Sequence, residues 1–212
     1  AFRPHQEEVC RAIASGQDAL LVMPTGAGKS LCYQLPGIAR GGTTLVISPL
    51  LALIEDQVQK LQKGGFRAER IHSGRDRQSS RTVCEQYLRG ELDFLFIAPE
   101  RLAVPSFPEM LAKRRLALIA IDEAHCISQW GHDFRPEYRM LGVRLPLLRN
   151  GVDGQAGTPV VALTALPLHV FSRIFWPNWC CILQTLSSTG FGAAISRSKW
   201  RKWGKQIVRN KF

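Results

Sequence analysis

Short apolar runs alternate with amphipathic segments along the first 165 residues of the chain. Apolar residues at helical spacing predict helices at residues 7–15, from residue 31 onward, at 50–61 and at 75–88. Runs rich in β-branched or other apolar residues predict strands at residues 19–22, 43–47, 67–71, 93–98, 116–121 and 159–164. Strands that alternate with helices form parallel sheets covered by helices on both faces. The pattern therefore predicts an α/β fold.

A glycine-rich loop follows the first predicted strand and precedes a predicted helix. Gly26 and Gly28 permit a tight turn whose N–H groups face inward, and the helix N-terminus favours a negatively charged ligand. Lys29 can reach the β and γ phosphates of a nucleotide, and the Ser30 hydroxyl can ligate Mg²⁺. Met23 occupies a position at which the strict pattern has glycine, and the alternative is a turn that binds nothing. The residues predicted to hold the phosphates are Thr25, Gly26, Ala27, Gly28, Lys29 and Ser30.

Two acidic residues, Asp122 and Glu123, follow the most apolar predicted strand. Ligands of parallel sheets bind at the carboxyl ends of strands, where the phosphate loop also lies. Asp122 is therefore predicted to hold Mg²⁺ opposite Ser30, and Glu123 to orient and deprotonate an attacking water. The alternative is an exposed pair of acids at a strand end.

Residues 126–139 mix aromatic rings with charged side chains, which is unusual for a core segment. Trp130, His132, Phe134 and Arg135 are the residues that suit stacking on single-stranded nucleic-acid bases. A surface loop folded over its own aromatic rings is the alternative.

The formal net charge of +11 lies mostly in the last 46 of the 212 residues, which contain eight lysines and arginines and no acids. This segment also holds four of the five tryptophans. One interpretation is a basic, aromatic arm that binds nucleic acid. The other, which we favour, is an unselected sequence such as the product of a reading-frame change.

The cysteines and the apolar content exclude several classes of protein. The six cysteines form no C-x-x-C pair, so we expect reduced thiols rather than a metal site or disulfide framework. Residues 170–186 are apolar-rich, but Arg173, Pro177 and Asn178 interrupt them, and no membrane span is expected.

A series of motifs in a fixed order resembles the RecQ-type DNA helicases of helicase superfamily 2. The resemblance covers about residues 1–165 and includes the aromatic-rich segment that is special to this family. The motifs are Phe2-Arg3-x-x-Gln6, Thr25-Gly26-x-Gly28-Lys29-Ser30, Ser48-Pro49-Leu50 with Asp56-Gln57-Val58, Pro99-Glu100-Arg101-Leu102, Asp122-Glu123-Ala124-His125, the segment from Cys126 to Pro136, and Leu163-Thr164-Ala165.

The resemblance implies a RecA-like, ATP-binding lobe at residues 1–166, followed by a basic tail at 167–212 that is not a folded domain. It implies ATP and Mg²⁺ as cofactors and single-stranded or tailed duplex DNA as the partner, in the bacterial cytoplasm or the eukaryotic nucleus. The implied adenine contacts are Arg3 and Gln6. The implied catalytic residues are Lys29, Asp122, Glu123 and His125. The implied DNA-binding or coupling residues are Arg101, Trp130, His132, Phe134, Arg135 and Thr164.

The sequence also departs from the family pattern. An aromatic residue that stacks on adenine is expected upstream of Phe2, and Leu166 stands where the family has threonine. The sequence after residue 166 does not resemble the later parts of the family's proteins. These parts are a second lobe with its arginine finger, a zinc-binding subdomain and a winged helix. We therefore expect a lobe-one fragment of an ATP-dependent 3′-to-5′ DNA helicase that does not itself unwind DNA. The alternative is an ATP- and nucleic-acid-binding module without unwinding activity.

Overall fold

The structure is a computed structural model that describes residues 2–3, 6–127, 136–150 and 157–165. Four residues of the predicted DNA-sensing segment, Trp130, His132, Phe134 and Arg135, lie outside the described residues, as does the tail from residue 167. Predictions for these parts of the chain stay predictions.

Six parallel strands form a single sheet in the order β1-β6-β5-β2-β4-β3. All five strand pairings are parallel, which confirms the predicted α/β fold with a parallel sheet. The strands are β1 (Ala19–Val22), β2 (Thr44–Ile47), β3 (Ala68–Ile71), β4 (Phe94–Ile97), β5 (Leu118–Ile121) and β6 (Val160–Thr164). Each lies within a segment predicted from the apolar pattern.

Helices connect the strands, and the sequence pattern predicts four of them. Within the described residues the helices are α1 (Gln6–Ala14), α2 (Leu31–Arg40), α3 (Leu51–Lys63), α4 (Arg77–Arg89), α5 (Phe107–Ala112) and α6 (Met140–Asn150). The sequence pattern does not predict α5 and α6, because α5 has only six residues and the exposed Val143 and Leu147 interrupt the apolar face of α6. Among these described helices, none has the length and apolar character needed to cross a bilayer.

Both faces of the sheet are buried because successive strand residues alternate between two apolar clusters. In β4, Leu95 and Ile97 belong to one cluster, and Phe94 and Phe96 belong to the other. Helices α4, α5 and α6 contribute residues to the first cluster, and α1, α2 and α3 contribute to the second. The nearly continuous apolar strands of the sequence follow from this two-sided burial.

A buried ion pair connects α6 to the amino ends of β1 and β6. Arg149 Nη2 lies 2.9 Å from Asp18 Oδ2, and the two side chains are only 6% and 1% exposed. Asp18 Oδ1 also accepts a hydrogen bond of 2.7 Å from the Val160 main-chain N–H at the start of β6. Asp18 precedes β1, so one carboxylate connects β1, β6 and α6.

Replacement of Arg149 by methionine should lower the free energy of unfolding by about 3–5 kcal/mol, because it leaves the Asp18 carboxylate buried without its cation. Arg11→Met is the matched control, since the Arg11–Glu7 pair is largely exposed. The control should change stability by less than about 1 kcal/mol. Urea denaturation of the two variants measures both values, and equal midpoints would contradict a structural role for the buried pair.

Candidate nucleotide-binding site

The candidate site lies at the carboxyl edge of the sheet, where β1, β6 and β5 end side by side. The phosphate loop follows β1, Asp122 and Glu123 follow β5, and Thr164 ends the intervening strand β6. Val22 of β1 pairs with Thr164 of β6. The parallel register therefore brings together three segments that are more than 40 residues apart in the chain.

The phosphate loop has the backbone conformation that its glycines predict. Gly26 and Gly28 have φ angles of +76° and +82°, which L-residues other than glycine rarely adopt. A Cβ atom on Gly28 would also lie 3.0 Å from Nε2 of Gln6. Position 28 therefore requires glycine both for its φ angle and for the close approach of a neighbouring side chain.

Side chains at the start of α1 donate hydrogen bonds to carbonyl oxygens of the phosphate loop. The buried side chain of Gln6 donates hydrogen bonds to the carbonyl oxygens of Ala27 at 3.2 Å and Gly28 at 3.1 Å. Its Oε1 accepts from the Arg3 main-chain N–H at 2.8 Å, and Arg3 Nη1 donates to the Gly26 carbonyl at 3.2 Å. Gln6 and Arg3 thus contact the loop in this structure, and their contact with adenine stays a prediction.

Lys29 spans the loop, and Met23 accounts for the departure from the strict glycine pattern. The Lys29 ammonium donates to the Met23 carbonyl oxygen at 3.2 Å. The Met23 N–H donates to the Thr164 carbonyl oxygen at 3.0 Å, and the Met23 side chain packs against the apolar cluster of α1, α2 and α3. Met23 therefore extends the β1–β6 pairing by one residue. A glycine could make the same main-chain hydrogen bond, but it has no side chain to pack against the cluster.

Asp122 is a partly buried carboxylate near a second negative charge. Burial raises its pKa, and the neighbouring Glu123 carboxylate raises it further. The Ser48 hydroxyl donates to Asp122 Oδ2 at 3.3 Å, and the positive charge of Lys29 acts in the opposite direction on the pKa. A divalent cation would compensate this concentration of negative charge, and a carboxylate with a serine hydroxyl is a donor set that suits Mg²⁺.

Glu123, His125 and Thr164 form a contact chain beside Asp122. Glu123 Oε2 lies 3.1 Å from His125 Nδ1, and this nitrogen lies 3.2 Å from Thr164 Oγ1. A hydrogen bond with His125 lowers the pKa of Glu123, so the glutamate is ionised at neutral pH. Hydrogen bonds with Cys126 and then with Glu123 raise the pKa of His125 to about 10. Glu123 also has a φ of +43°, a strained conformation that is typical of functional sites.

A cavity of about 260 Å³ connects the loop to these acids and continues between α2 and α3. Its deeper wall includes Tyr33 and Gln57, and Gln57 Oε1 accepts hydrogen bonds from Gln34 Nε2 at 3.1 Å and from the Tyr33 hydroxyl at 3.5 Å. The polar residues on the cavity wall are Thr25, Lys29, Ser30, Tyr33, Ser48, Gln57, Asp122 and Glu123.

Two contacts of the acid pair were not identified from sequence. Ser48 was recognised only as part of a motif, and Tyr138 was not assigned a role. The buried Tyr138 ring places its hydroxyl 2.9 Å from the Asp122 carbonyl oxygen, to which it donates. Neither contact has a local sequence signal, since 74 and 16 residues separate the partners.

Arg101 lies in a short 3₁₀ helix, Pro99–Ala103, that follows β4. Its guanidinium lies 5.0 Å from the centroid of the Phe107 ring, which is a cation–π arrangement. The Arg101 Nε atom is buried and has no hydrogen-bond partner among the described residues. Its contact with DNA stays a prediction.

Comparison with known proteins identifies the family. Residues 3–167 match the DEAD/DEAH box helicase family, which is more than half of the chain. The chain belongs to the DEAD/DEAH box helicase family. The phosphate loop and the Asp122–His125 segment lie within the matched residues.

The relatives of this DEAD/DEAH box helicase chain include many proteins of the RecQ type, as the motifs predicted. It is 47% identical over 165 residues to the ATP-dependent DNA helicase RecQ of Haemophilus influenzae, which covers 78% of this chain and 26% of that protein. It is 44% identical to the ATP-dependent DNA helicase Q-like 2 of Arabidopsis thaliana, over 77% of this chain and 23% of that protein. The chain spans about a quarter of the length of these relatives.

Solved helicase structures confirm the fold of this family member. A hypothetical ATP-dependent RNA helicase from Sulfolobus tokodaii superposes with a TM-score of 0.58 at 16% identity, over 82% of this chain and 50% of that chain. Helicase Lhr of Mycobacterium smegmatis, bound to ssDNA and AMP-PNP, superposes with a TM-score of 0.60 at 22% identity, over 79% of this chain and 23% of that chain. The RecA-like lobe predicted from sequence is confirmed.

The hydrogen bonds of His125 with Cys126 and with Glu123 make the stability of this part of the chain depend on pH. Because the pKa of His125 is raised in the folded state, its protonated ring stabilises the fold fully below pH 6.5, and this stabilisation is lost as the pH rises toward 10. His125→Gln, which cannot carry the charge, should show a smaller loss of unfolding free energy between these pH values. Urea denaturation at several pH values measures the difference. Parallel pH profiles for the two proteins would contradict the raised pKa.

Proposed function

We propose that residues 1–166 form the first ATP-binding lobe of a RecQ-type ATP-dependent DNA helicase. The supporting observation is the cavity in which the phosphate loop faces Asp122 and Glu123. Lys29 contributes to the electrostatics of both acids, so the loop cation and the acid pair occupy one site. A γ-phosphate between them would contact a cation on one side and a water-orienting carboxylate on the other.

Local contacts and charges support the proposed roles in ATP hydrolysis. The loop N–H groups and Lys29 bind the phosphates, while Ser30 and Asp122 hold Mg²⁺. Ser30 suits this role because its hydroxyl makes no capping hydrogen bond to α2. Bound Mg²⁺ would neutralise negative charge on the phosphates. Glu123 is ionised, and it can therefore accept a proton from the attacking water.

The contact chain from Glu123 to Thr164 supports a role in relaying the nucleotide state. His125 contacts both residues through Nδ1, and Thr164 ends the strand that lies beside the phosphate loop. A change in the position of Glu123 on hydrolysis would alter the hydrogen bond between His125 and Thr164. We propose that these contacts between Glu123, His125 and Thr164 connect ATP hydrolysis to the segment after β6.

The proposed nucleic-acid partner is single-stranded or tailed duplex DNA. Several relatives are named DNA helicases, and one structural neighbour was solved with ssDNA. Trp130, His132, Phe134 and Arg135 are the proposed sensors of single-stranded bases, with Arg101 in a second contact segment. The compartment would be the cytoplasm of a bacterium or the nucleus of a eukaryote.

A second candidate is an ATP- and nucleic-acid-binding module without unwinding activity. The described cavity accounts for ATP binding, which is all that this alternative requires of residues 1–166. In related phosphate-loop enzymes an arginine finger contributes about 10³–10⁵ to turnover, so binding and turnover are separable. A strand-displacement assay on a 3′-tailed duplex distinguishes the candidates. ATP binding without displacement by the 212-residue polypeptide would favour the module, and robust displacement would exclude it.

Lys29→Ala should weaken ATP binding by about 10–100-fold, the value of a hydrogen bond between charged groups. Titration with a fluorescent ATP analogue in the presence of Mg²⁺ measures the affinity. Lys60→Ala is the matched control, since Lys60 is exposed on α3 and pairs with Asp56. It should bind like the wild type. Equal affinity for wild type and Lys29→Ala would refute the proposed phosphate site.

Trp130→Ala should weaken binding of a fluorescent single-stranded oligonucleotide by about tenfold, because one base loses its aromatic stacking partner. Trp200→Ala is the matched control in the basic tail, and it should retain the affinity of the wild type. Fluorescence anisotropy at constant salt measures both. The reverse result, with loss only in Trp200→Ala, would assign DNA binding to the tail and contradict the sensing role of Trp130.

A further inference from the structure

The Tyr138 hydroxyl contacts the acid pair through the main chain. Tyr138 lies in the 3₁₀ helix Pro136–Arg139, which directly precedes α6. Its ring is fully buried in the apolar cluster of α4, α5 and α6, and its hydroxyl donates a hydrogen bond of 2.9 Å to the Asp122 carbonyl oxygen. The same 3₁₀ helix packs against α6 and against the 3₁₀ helix Ala124–Ile127. The hydroxyl is therefore a donor that the core holds in place.

The Asp122 carbonyl belongs to the peptide unit that sets the φ angle of Glu123. This carbonyl and the Glu123 N–H lie in one plane, so rotation of the plane changes φ at Glu123. The Glu123 N–H donates to Asp122 Oδ1 at 2.9 Å. Two hydrogen bonds thus fix the plane, one at its carbonyl and one at its N–H. The bond at the carbonyl comes from Tyr138, which is 16 residues away in the chain.

The conformation that this peptide unit imposes on Glu123 is strained. Among the described residues other than glycine, only Ser106 and Glu123 have a positive φ. Such a conformation costs free energy and persists only where the surrounding structure imposes it. The Glu123 carbonyl oxygen also accepts a hydrogen bond of 2.9 Å from the Cys126 N–H. Because the strain and one hydrogen bond are of similar magnitude, loss of the bond at the Asp122 carbonyl should release Glu123 from this conformation.

We propose that Tyr138 is a positioning residue that holds Glu123 in its left-handed conformation through the peptide unit between Asp122 and Glu123. In this conformation Glu123 Oε2 lies 3.1 Å from His125 Nδ1, and Glu123 lines the candidate nucleotide cavity. The described residues that line this cavity do not include Tyr138. Tyr138 therefore acts on the carboxylate through the main chain and takes no part in binding the phosphates.

Amide hydrogen exchange, measured by NMR on the 212-residue protein without nucleotide, tests this role. Tyr138→Phe keeps the buried ring and removes only the hydroxyl. Exchange of the Glu123 N–H should become about 3–10-fold faster than in the wild type, which is the factor expected for one hydrogen bond. The amides of β5, which precede the acid pair, should exchange at the wild-type rate.

Tyr87→Phe is the matched control for loss of a buried hydroxyl. The Tyr87 ring belongs to the same apolar cluster, and its hydroxyl donates to the Leu111 carbonyl oxygen at 2.6 Å, but neither residue lines the cavity. This variant should leave exchange of the Glu123 N–H unchanged. Equal exchange at Glu123 in wild type and Tyr138→Phe would overturn the proposal. An equal acceleration of the β5 amides would also overturn it, since that result indicates a general loss of stability.

A second measurement concerns hydrolysis and rests on the proposed function. Tyr138→Phe should lower the rate of Mg·ATP hydrolysis by about 10–100-fold, because a small displacement of a water-orienting group has an effect of this size. Its affinity for a fluorescent ATP analogue should equal that of the wild type, since Lys29 and the loop N–H groups are unchanged. A loss of affinity with an unchanged rate would overturn this effect. Absence of hydrolysis by the wild type would instead contradict the proposed role of Glu123 and leave amide exchange as the test of Tyr138.

Discussion

The parallel register of β1, β6 and β5 is the constraint on which the rest of the site depends. Because all three strands run in one direction, their following residues meet at one edge of the sheet. The central position of β6 places Thr164 between the phosphate loop and the acids. The ion pair of Asp18 with Arg149 lies at the opposite ends of β1 and β6. The candidate site and the ion pair thus lie at opposite edges of the sheet.

The charges of the two site carboxylates depend on burial at Asp122 and on neighbouring positive charge at Glu123. Asp122 and Glu123 are adjacent, and burial favours the neutral form of Asp122. Glu123 keeps its charge through His125 and Lys29, although it lies in the same cavity. The two carboxylates therefore have different environments, as suits a metal ligand and a base. Glu123 has a positive φ and lies 3.1 Å from His125 through Oε2.

The backbone of the phosphate loop is stabilised by helix α1 as well as by its own glycines. Gln6 binds two loop carbonyls, so the first turn of α1 contributes to the conformation of the loop. Cys10 of α1 and Cys32 of α2 belong to the same apolar cluster, in which the two helices pack. The packing of α1 on α2 and the conformation of the loop are therefore linked through Gln6.

Local patterns in the sequence determined the six strands, the phosphate loop and the acid pair, because periodicity and glycine placement act over a few residues. Helices α5 and α6 were not predicted, since α5 is short and the apolar residues of α6 do not keep to one face. The tertiary structure alone decided the contacts of Gln6 with the loop, of His125 with Thr164 and of Cys10 with the Leu31 carbonyl oxygen. These contacts depend on the order of the strands and on the packing of the helices. The apolar pattern of a buried parallel strand is the same whatever its neighbours, so the sequence pattern does not determine that order.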